Sequence, residues 1–247
     1  MLLSSTAIKR HLQKNNIVIT PFKEKNLGNC SYDLTLGKFY YREKHPSESY
    51  TIYNPYSQED VYRVWGKDFQ TAKPFKEWLK THGHHTQLVK GIAPTDLVIW
   101  LAPGETILGH TDEFIGGKDV VTTMMKARSS IGRNFITVCR CAGWGDVGYI
   151  NRWTMEITNN SRYYHIPLVV GRRVAQMAFF EVEPIRAASG QAHLTKSGQA
   201  NLGNAGAYHT KDDSKYQSTL DIKLLKKNWH PSEMLPKMWK DREIKEM

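Results

Sequence analysis

Between residues 92 and 182 short apolar runs are broken by glycines, prolines and polar pairs, and this cadence constrains the fold more than any other feature of the chain. Leu97-Val98-Ile99-Trp100-Leu101 meets a Pro103-Gly104 turn. Thr106 to Gly109, Val120 to Met125, Phe135 to Cys139, Trp153 to Thr158, Ile166 to Val170 and Val174 to Val182 follow. Runs of this length, rich in β-branched and aromatic residues and bounded by turn formers, read as strands. So many in succession point to an all-β sandwich or barrel. Asn16 to Pro21 adds a strand stopped by proline, and Ser31-Tyr32-Asp33-Leu34-Thr35-Leu36-Gly37 alternates with period two. Ahead of them, Ser4-Ser5-Thr6 leads into Ala7 to Leu12, a capped amphipathic helix with Ile8, His11 and Leu12 on one side. The expected fold is mainly β with an N-terminal helix.

At 247 residues the chain is long enough for one sizeable core. One domain is expected over residues 1–220, interrupted at 43–91 by an insertion rich in His, Tyr, Lys and Trp. Phe75 to Lys80 reads as a short helix within it. Residues 185–219 are dominated at first by Gly, Ala, Ser and Asn and read as a flexible closing segment. Residues 221–247 form a tail carrying Trp229 and Trp239. The net charge of +10 draws anions, but the basic residues are scattered rather than striped with aromatics. That ranks a small polyanion such as a nucleoside triphosphate ahead of nucleic acid. Three cysteines (Cys30, Cys139, Cys141) make no disulfide framework and favour a reducing compartment. Cys139 and Cys141, two apart in a predicted strand, should share a face as small buried side chains. With no leader at Met1-Leu2-Leu3 and no apolar run of membrane-spanning length, a soluble cytoplasmic protein is expected.

A zinc deaminase of nucleobases would need His-x-Glu with Pro-Cys-x-x-Cys, and neither occurs. His82, His84 and His85 read as a solvated loop. A metal, if used, is expected to be Mg²⁺ held through substrate phosphates. The chemistry-bearing residues cluster between 126 and 156. Arg128-Ser129-Ser130, with Arg133, offers guanidinium, hydroxyl and backbone N–H donors at one turn, as a phosphate requires. Asp146 lies between Gly145 and Gly148, followed by Tyr149. In Arg152 to Thr158 the odd positions Trp153, Met155 and Ile157 are apolar, which puts Glu156 on the opposite, polar face of a strand.

At that spacing the chain resembles the dCTP deaminase branch of the dUTPase-like superfamily. Arg128-Ser129-Ser130-x-x-Arg133 looks like its phosphate motif, and Ala142-Gly143-x-x-Asp146-x-Gly148-Tyr149 like its nucleoside hairpin. Thr154-Met155-Glu156 is similar to its catalytic strand, Gly171 to Phe179 to its late Gln-bearing strand, and Ser31 to Gly37 to an early family segment. Tyr208 and Ser214-Lys215-Tyr216-Gln217 look like its closing segment. Ala127, Gly145 and Ser218-Thr219 depart from the usual pattern. The resemblance implies a distorted β-barrel or jelly-roll, a homotrimer with active sites between subunits, and zinc-independent hydrolytic deamination of dCTP to dUTP and ammonia. It assigns Glu156 as general base, with Ser129, Arg133 and the Ala142 carbonyl orienting the water. Arg128, Ser130 and Gln176 would take phosphates and Asp146 the 3′-hydroxyl. Tyr149 would pack on the deoxyribose, and Lys215 and Tyr208 would close over the nucleotide. The alternatives are a bifunctional enzyme that continues to dUMP and pyrophosphate with Asp146 activating water, a dUTPase alone, or a catalytically idle nucleotide-binding regulator.

Overall fold

The computed structural model describes residues 1–47, 50–82, 89–183, 215–217, 219 and 221–245. Helix α1, Ser5–Gln13, begins where the Ser4 hydroxyl accepts from the Ala7 N–H, and it buries Ile8 and His11. The strands up to the insertion are β1 (Ile17–Thr20), β2 (Tyr32–Thr35) and β3 (Phe39–Arg42). Within residues 43–91 lie α2 (Gln58–Trp65), capped by Ser57, the two-residue strands β4 (Gln70–Thr71) and β5 (Lys73–Pro74), and α3 (Phe75–His82). Then follow β6 (Leu97–Leu101), β7 (Thr106–Gly117), β8 (Val121–Ala127), α4 (Ser129–Arg133), β9 (Ile136–Thr137), β10 (Trp144–Gly145), β11 (Ile150–Asn159), β12 (Ile166–Val169) and β13 (Arg173–Glu181). The tail holds α5 (Ile222–Asn228), two 3-10 turns and α6 (Arg242–Lys245).

All strand pairs among the described residues are antiparallel. One sheet runs β4-β3-β7-β11-β9, with β1 also on β7; a second runs β10-β8-β13-β2, and a third β12-β6-β5. The mainly β expectation with an N-terminal helix and a helical insertion holds. The core lies between the first two sheets. Tyr32, Leu34, Met125, Met177 and Phe179 from one meet Ile107, Ile115, Met155 and Ile157 from the other in a single cluster. Each comes from the inward positions of a period-two strand, which is why the sequence pattern showed them.

Strand β7 is buried at almost every position, on both faces. Its outer face is covered by segments distant in sequence. Leu225 of α5 packs with Val18, Phe114 and Ile150. Met234 and Leu235 join Tyr41, Val61 and Leu108. Trp229 lies 4.9 Å from the His110 ring and beneath the Arg152 guanidinium. His110 is 1 % exposed; its Nε2 accepts from the Phe39 N–H at 3.3 Å, so Nδ1 carries the hydrogen and donates to the Thr111 carbonyl at 2.8 Å. Gly37 sits against this ring, and a Cβ there would fall 1.9 Å from His110 Cε1.

Two local expectations are corrected. The predicted strand Phe135 to Cys139 is reduced to Ile136–Thr137, because Cys139 (φ 63°) and Arg140 (φ 38°) turn left-handed and end it. Cys139 is therefore buried and Cys141 exposed, rather than both sharing a face. The predicted Arg-Ser-Ser turn is instead the start of α4, with Arg128 at its N-cap. No helix among the described residues is long and apolar enough to cross a membrane.

Two stability measurements test this packing. Gly37→Ala should destabilise by about 2–3 kcal/mol, the cost of overpacking a filled site, read by urea unfolding. Burial lowers the pKa of His110 to about 4, so the folded state holds it neutral. Its contribution is fully present above pH ~6.5 and is lost as pH falls toward about 4. A His110→Gln variant should flatten that part of the stability–pH curve.

Candidate active site

Strand β11 positions the central carboxylate. Its inward residues Met155 and Ile157 are fully buried, so Glu156 faces outward, paired in register with Leu108 of β7. A register shift between Arg152 and Thr154 marks a bulge at Trp153, just before this turn of the strand. Glu156 is half-buried, and its Oε2 is out of water with no hydrogen-bond partner among the described residues. Burial raises its pKa above the ordinary Glu range, against the opposing pull of its own backbone N–H and of Arg140. The neighbouring Cys139 thiol is pushed up to about 12, by burial first and by the Glu156 charge second.

Glu156 opens into a cavity of about 520 Å³ that also receives Ala142, Asp146 and Tyr149. Four residues singled out in the sequence thus meet at one place. The local backbone explains how. A Cβ at Gly143 would stand 2.1 Å from the Met125 carbonyl, and one at Gly145 would strike the Trp153 ring at 2.3 Å. Glycine at both positions lets β10 lie flat on β8 and on that indole. The Asp146 carbonyl then accepts from the Tyr149 N–H at 3.0 Å, and Gly148 (φ 95°) donates to Gly117 at 2.8 Å, closing the turn. The Tyr149 ring meets Trp153 edge-on at 5.1 Å, and the Trp153 indole N–H is fixed on the Ile115 carbonyl. Tyr149 is braced, not free to swing.

On the other side of the cavity only the closing segment that carries Tyr216 was expected. Tyr53, Pro55 and Trp65 come to it from the insertion, and Tyr216, Met234, Pro236 and Met238 from the closing segment and the tail. For the insertion and the tail the only sequence signal was aromatic density, which says nothing of where they fold.

The phosphate motif lies elsewhere in the single chain. Ser129, Ser130 and Arg133 are exposed on α4 and do not line the cavity. The Asp33 carboxylate pairs with Arg128 at 3.4 Å and with Arg173 at 2.8 Å. These arginines, with Lys23, Lys25 and Arg172, rim a second cavity of about 560 Å³. Gln176 sits on β13, in register with Asp33 and Lys126. Lys215 is paired with Asp241 of the tail, and its carbonyl accepts from Lys237 Nζ. The adjoining segment is fastened to β11: the Ile150 N–H donates to Gln217 Oε1 at 2.7 Å and Asn151 Nδ2 to the Tyr216 carbonyl at 2.8 Å. Tyr208, His84 and His85 lie outside the described residues. Among those described, no three His, Cys, Asp or Glu side chains gather as a metal site. A cation at the cavity would find the carboxylates of Asp146 and Glu156 and would need the rest of its oxygens from a ligand, which suits Mg²⁺ riding on phosphates.

Comparison of the sequence with known proteins gives a consistent result. A sequence model described as dCTP deaminase-like matches residues 2–182. A protein of Methanococcus aeolicus named "dCTP deaminase, dUMP-forming" is 27% identical over 215 residues, covering 85% of this chain and 98% of its own. A protein of the same name from Methanococcus maripaludis is 30% identical over 187 residues, covering 72% of this chain and 81% of its own. Among solved structures, the 2′-deoxycytidine 5′-triphosphate deaminase of Agrobacterium tumefaciens matches with a TM-score of 0.49 and 15% identity, over 75% of this chain and 49% of its own.

The electrostatics of Glu156 can be tested by stability. Its raised pKa means that ionising it costs the folded state above the unfolded Glu pKa of about 4.3. Glu156→Gln should therefore raise the Tm at pH 7–8, read by thermal unfolding. The gain should fade as pH falls toward 4, where the carboxyl is protonated in both states.

Proposed function

The chain belongs to the dCTP deaminase-like family, and from that premise we propose that it converts dCTP to dUMP, ammonia and pyrophosphate through dUTP at one site. The observation that carries this reading is the Glu156 carboxylate, buried with an unpartnered oxygen in the same cavity as Asp146 and Tyr149. Deamination followed by phosphoanhydride hydrolysis calls for two carboxylates with different duties, and these two have different surroundings. Similarity to relatives named as dUMP-forming favours this bifunctional reading over deamination alone.

In the first step Glu156 takes a proton from the water that attacks C4 of cytosine. It hands that proton to N3, then takes the proton of the new C4 hydroxyl and passes it to the amine, which leaves as ammonia as the C4 carbonyl forms. Such acid–base assistance is worth typically ~10²–10⁴-fold. Burial raises its pKa, which makes the carboxylate a better proton acceptor than an exposed Glu. The Ala142 carbonyl, at the cavity wall, orients the water. Tyr149, braced on Trp153, packs on the deoxyribose and leaves no room for a 2′-hydroxyl. In the second step Asp146 orients a water toward the α-phosphate, and the bond to pyrophosphate breaks.

The phosphate motif completes the site from a neighbouring subunit. In one chain α4 and the Glu156 cavity are separate, whereas in a homotrimer Arg128, Ser130 and Gln176 of one copy would face the triphosphate bound by another, with Ser129 and Arg133 close to the attacked carbon. Mg²⁺ bound by the triphosphate would neutralise its charge, with Asp146 as the nearest protein carboxylate on the sugar side.

Anion-exchange analysis of products from dCTP with Mg²⁺, together with an ammonia assay, tests the proposal. The expected products are dUMP and pyrophosphate with one ammonia per turnover. Glu156→Gln should lower ammonia release by about 10²–10⁴-fold while dUTP is still hydrolysed. Asp146→Asn should instead let dUTP accumulate. Products that stop at dUTP in the unaltered protein would reduce it to a deaminase. Ammonia release that survives Glu156→Gln would remove Glu156 from the mechanism.

A further inference from the structure

Part of the Glu156 cavity wall comes from outside the span that the family model matches. The family match ends at residue 182, yet Tyr216, Met234, Pro236 and Met238 line the cavity, with Tyr53 and Trp65 of the insertion beside them. This wall is built in. Leu225, Met234 and Leu235 are buried against the central sheet. The Lys237 N–H donates to the Tyr216 hydroxyl at 3.1 Å, and Lys237 Nζ bridges the Lys215 carbonyl and Glu233.

Its chemistry differs from the rest of the cavity. Glu156 and the Ala142 carbonyl present oxygens to a base, and Asp146 and Tyr149 take the sugar. A pyrimidine whose nitrogen edge meets Glu156 turns its carbon edge to what remains of the lining. There Met234, Pro236 and Met238 offer no donor and no strong acceptor. Methionine side chains are unbranched and polarizable, so they reshape around apolar groups of different size. A surface of that kind reads the ring by volume alone, and one methyl more or less then alters selection by ~10–200-fold at most.

We propose that the part of this wall made by Met234, Pro236 and Met238 sets base specificity, and that it admits pyrimidine deoxynucleotides bearing a small apolar substituent on the carbon edge of the ring, such as 5-methyl-dCTP. The inference rests on the nucleotide reading above, and it names Met238 as a specificity-determining residue. Met238 is 36% exposed, so changing it should spare the fold.

The test compares kcat/KM for dCTP and 5-methyl-dCTP in the full chain and in Met238→Trp and Met238→Ala. The unaltered protein should turn over both with kcat/KM values within ~10-fold, as a volume-reading wall allows. Met238→Trp should raise the preference for dCTP by about 10-fold or more, and Met238→Ala should lower it. A preference for dCTP beyond ~200-fold in the unaltered protein, the ceiling for one methyl in an apolar pocket, would overturn the proposal. So would a preference identical in all three proteins. Trp65, Trp144 and Trp153 line the same cavity, so quenching of their fluorescence by dCMP and 5-methyl-dCMP gives a readout that needs no turnover. If dCTP is not deaminated at all, the proposed function fails, and the quenching series still decides the inference. Similar affinities for the two nucleotides would support it; binding of dCMP alone would sink it.

Discussion

Strand β7 is enclosed from both sides, and the remainder of the molecule is arranged by that enclosure. On its inner face Ile107 and Ile115 belong to the core between two sheets. On its outer face Leu108 and Phe114 are covered by α2, α5 and the turn that carries Met234. Burying an apolar side chain is worth ~1.5–3 kcal/mol, so the outer layer is no ornament on a finished domain. It also dictates what else can be there. His110, taken out of water between Phe39 and Trp229, stays neutral and spends both ring nitrogens on backbone groups. The same layer walls the cavity beside β11, so the stability of the sheet and the shape of the site come from one set of contacts.

Within that cavity the surroundings separate two carboxylates that look alike in the sequence. Glu156 has one oxygen without a partner and is desolvated. Asp146 sits in an exposed turn whose backbone is closed by Tyr149 and Gly148. Keeping Glu156 half out of water costs the fold something, and a strained or undersolvated group retained at a cavity is the usual mark of a site shaped for chemistry. The braces around it are indirect. Trp153 holds Tyr149 from the side and excludes any residue larger than glycine at 145.

Much of this was legible in the sequence where periodicity governs. The alternation of Trp153, Met155 and Ile157 placed Glu156 on the correct face, and the Ser4 cap and the apolar side of α1 were visible as written. The glycine-flanked Asp146 did mark a tight turn against another strand. Other parts escaped for physical reasons. Left-handed backbone at Cys139 and Arg140 ended a strand that composition alone would continue. The two-residue strands β4, β5 and β10 are too short to show a period. The tail and the insertion reach the cavity through contacts between residues far apart in the sequence, and no local pattern encodes a destination. The arginine motif was recognisable by residue type, yet its separation from Glu156 within one chain is a property of the fold.

The pairing of Lys215 with Asp241 has its own consequence. A lysine already engaged by a carboxylate does not wait for an anion; it changes partners. Whatever negative group draws Lys215 toward a ligand must first release Asp241, and the affinity gained is the difference between two ion pairs rather than the whole of one. Closure in this chain would therefore be set by a competition refereed from the last turn of the tail. A single carboxylate there would then govern the lysine's availability without itself lining the cavity.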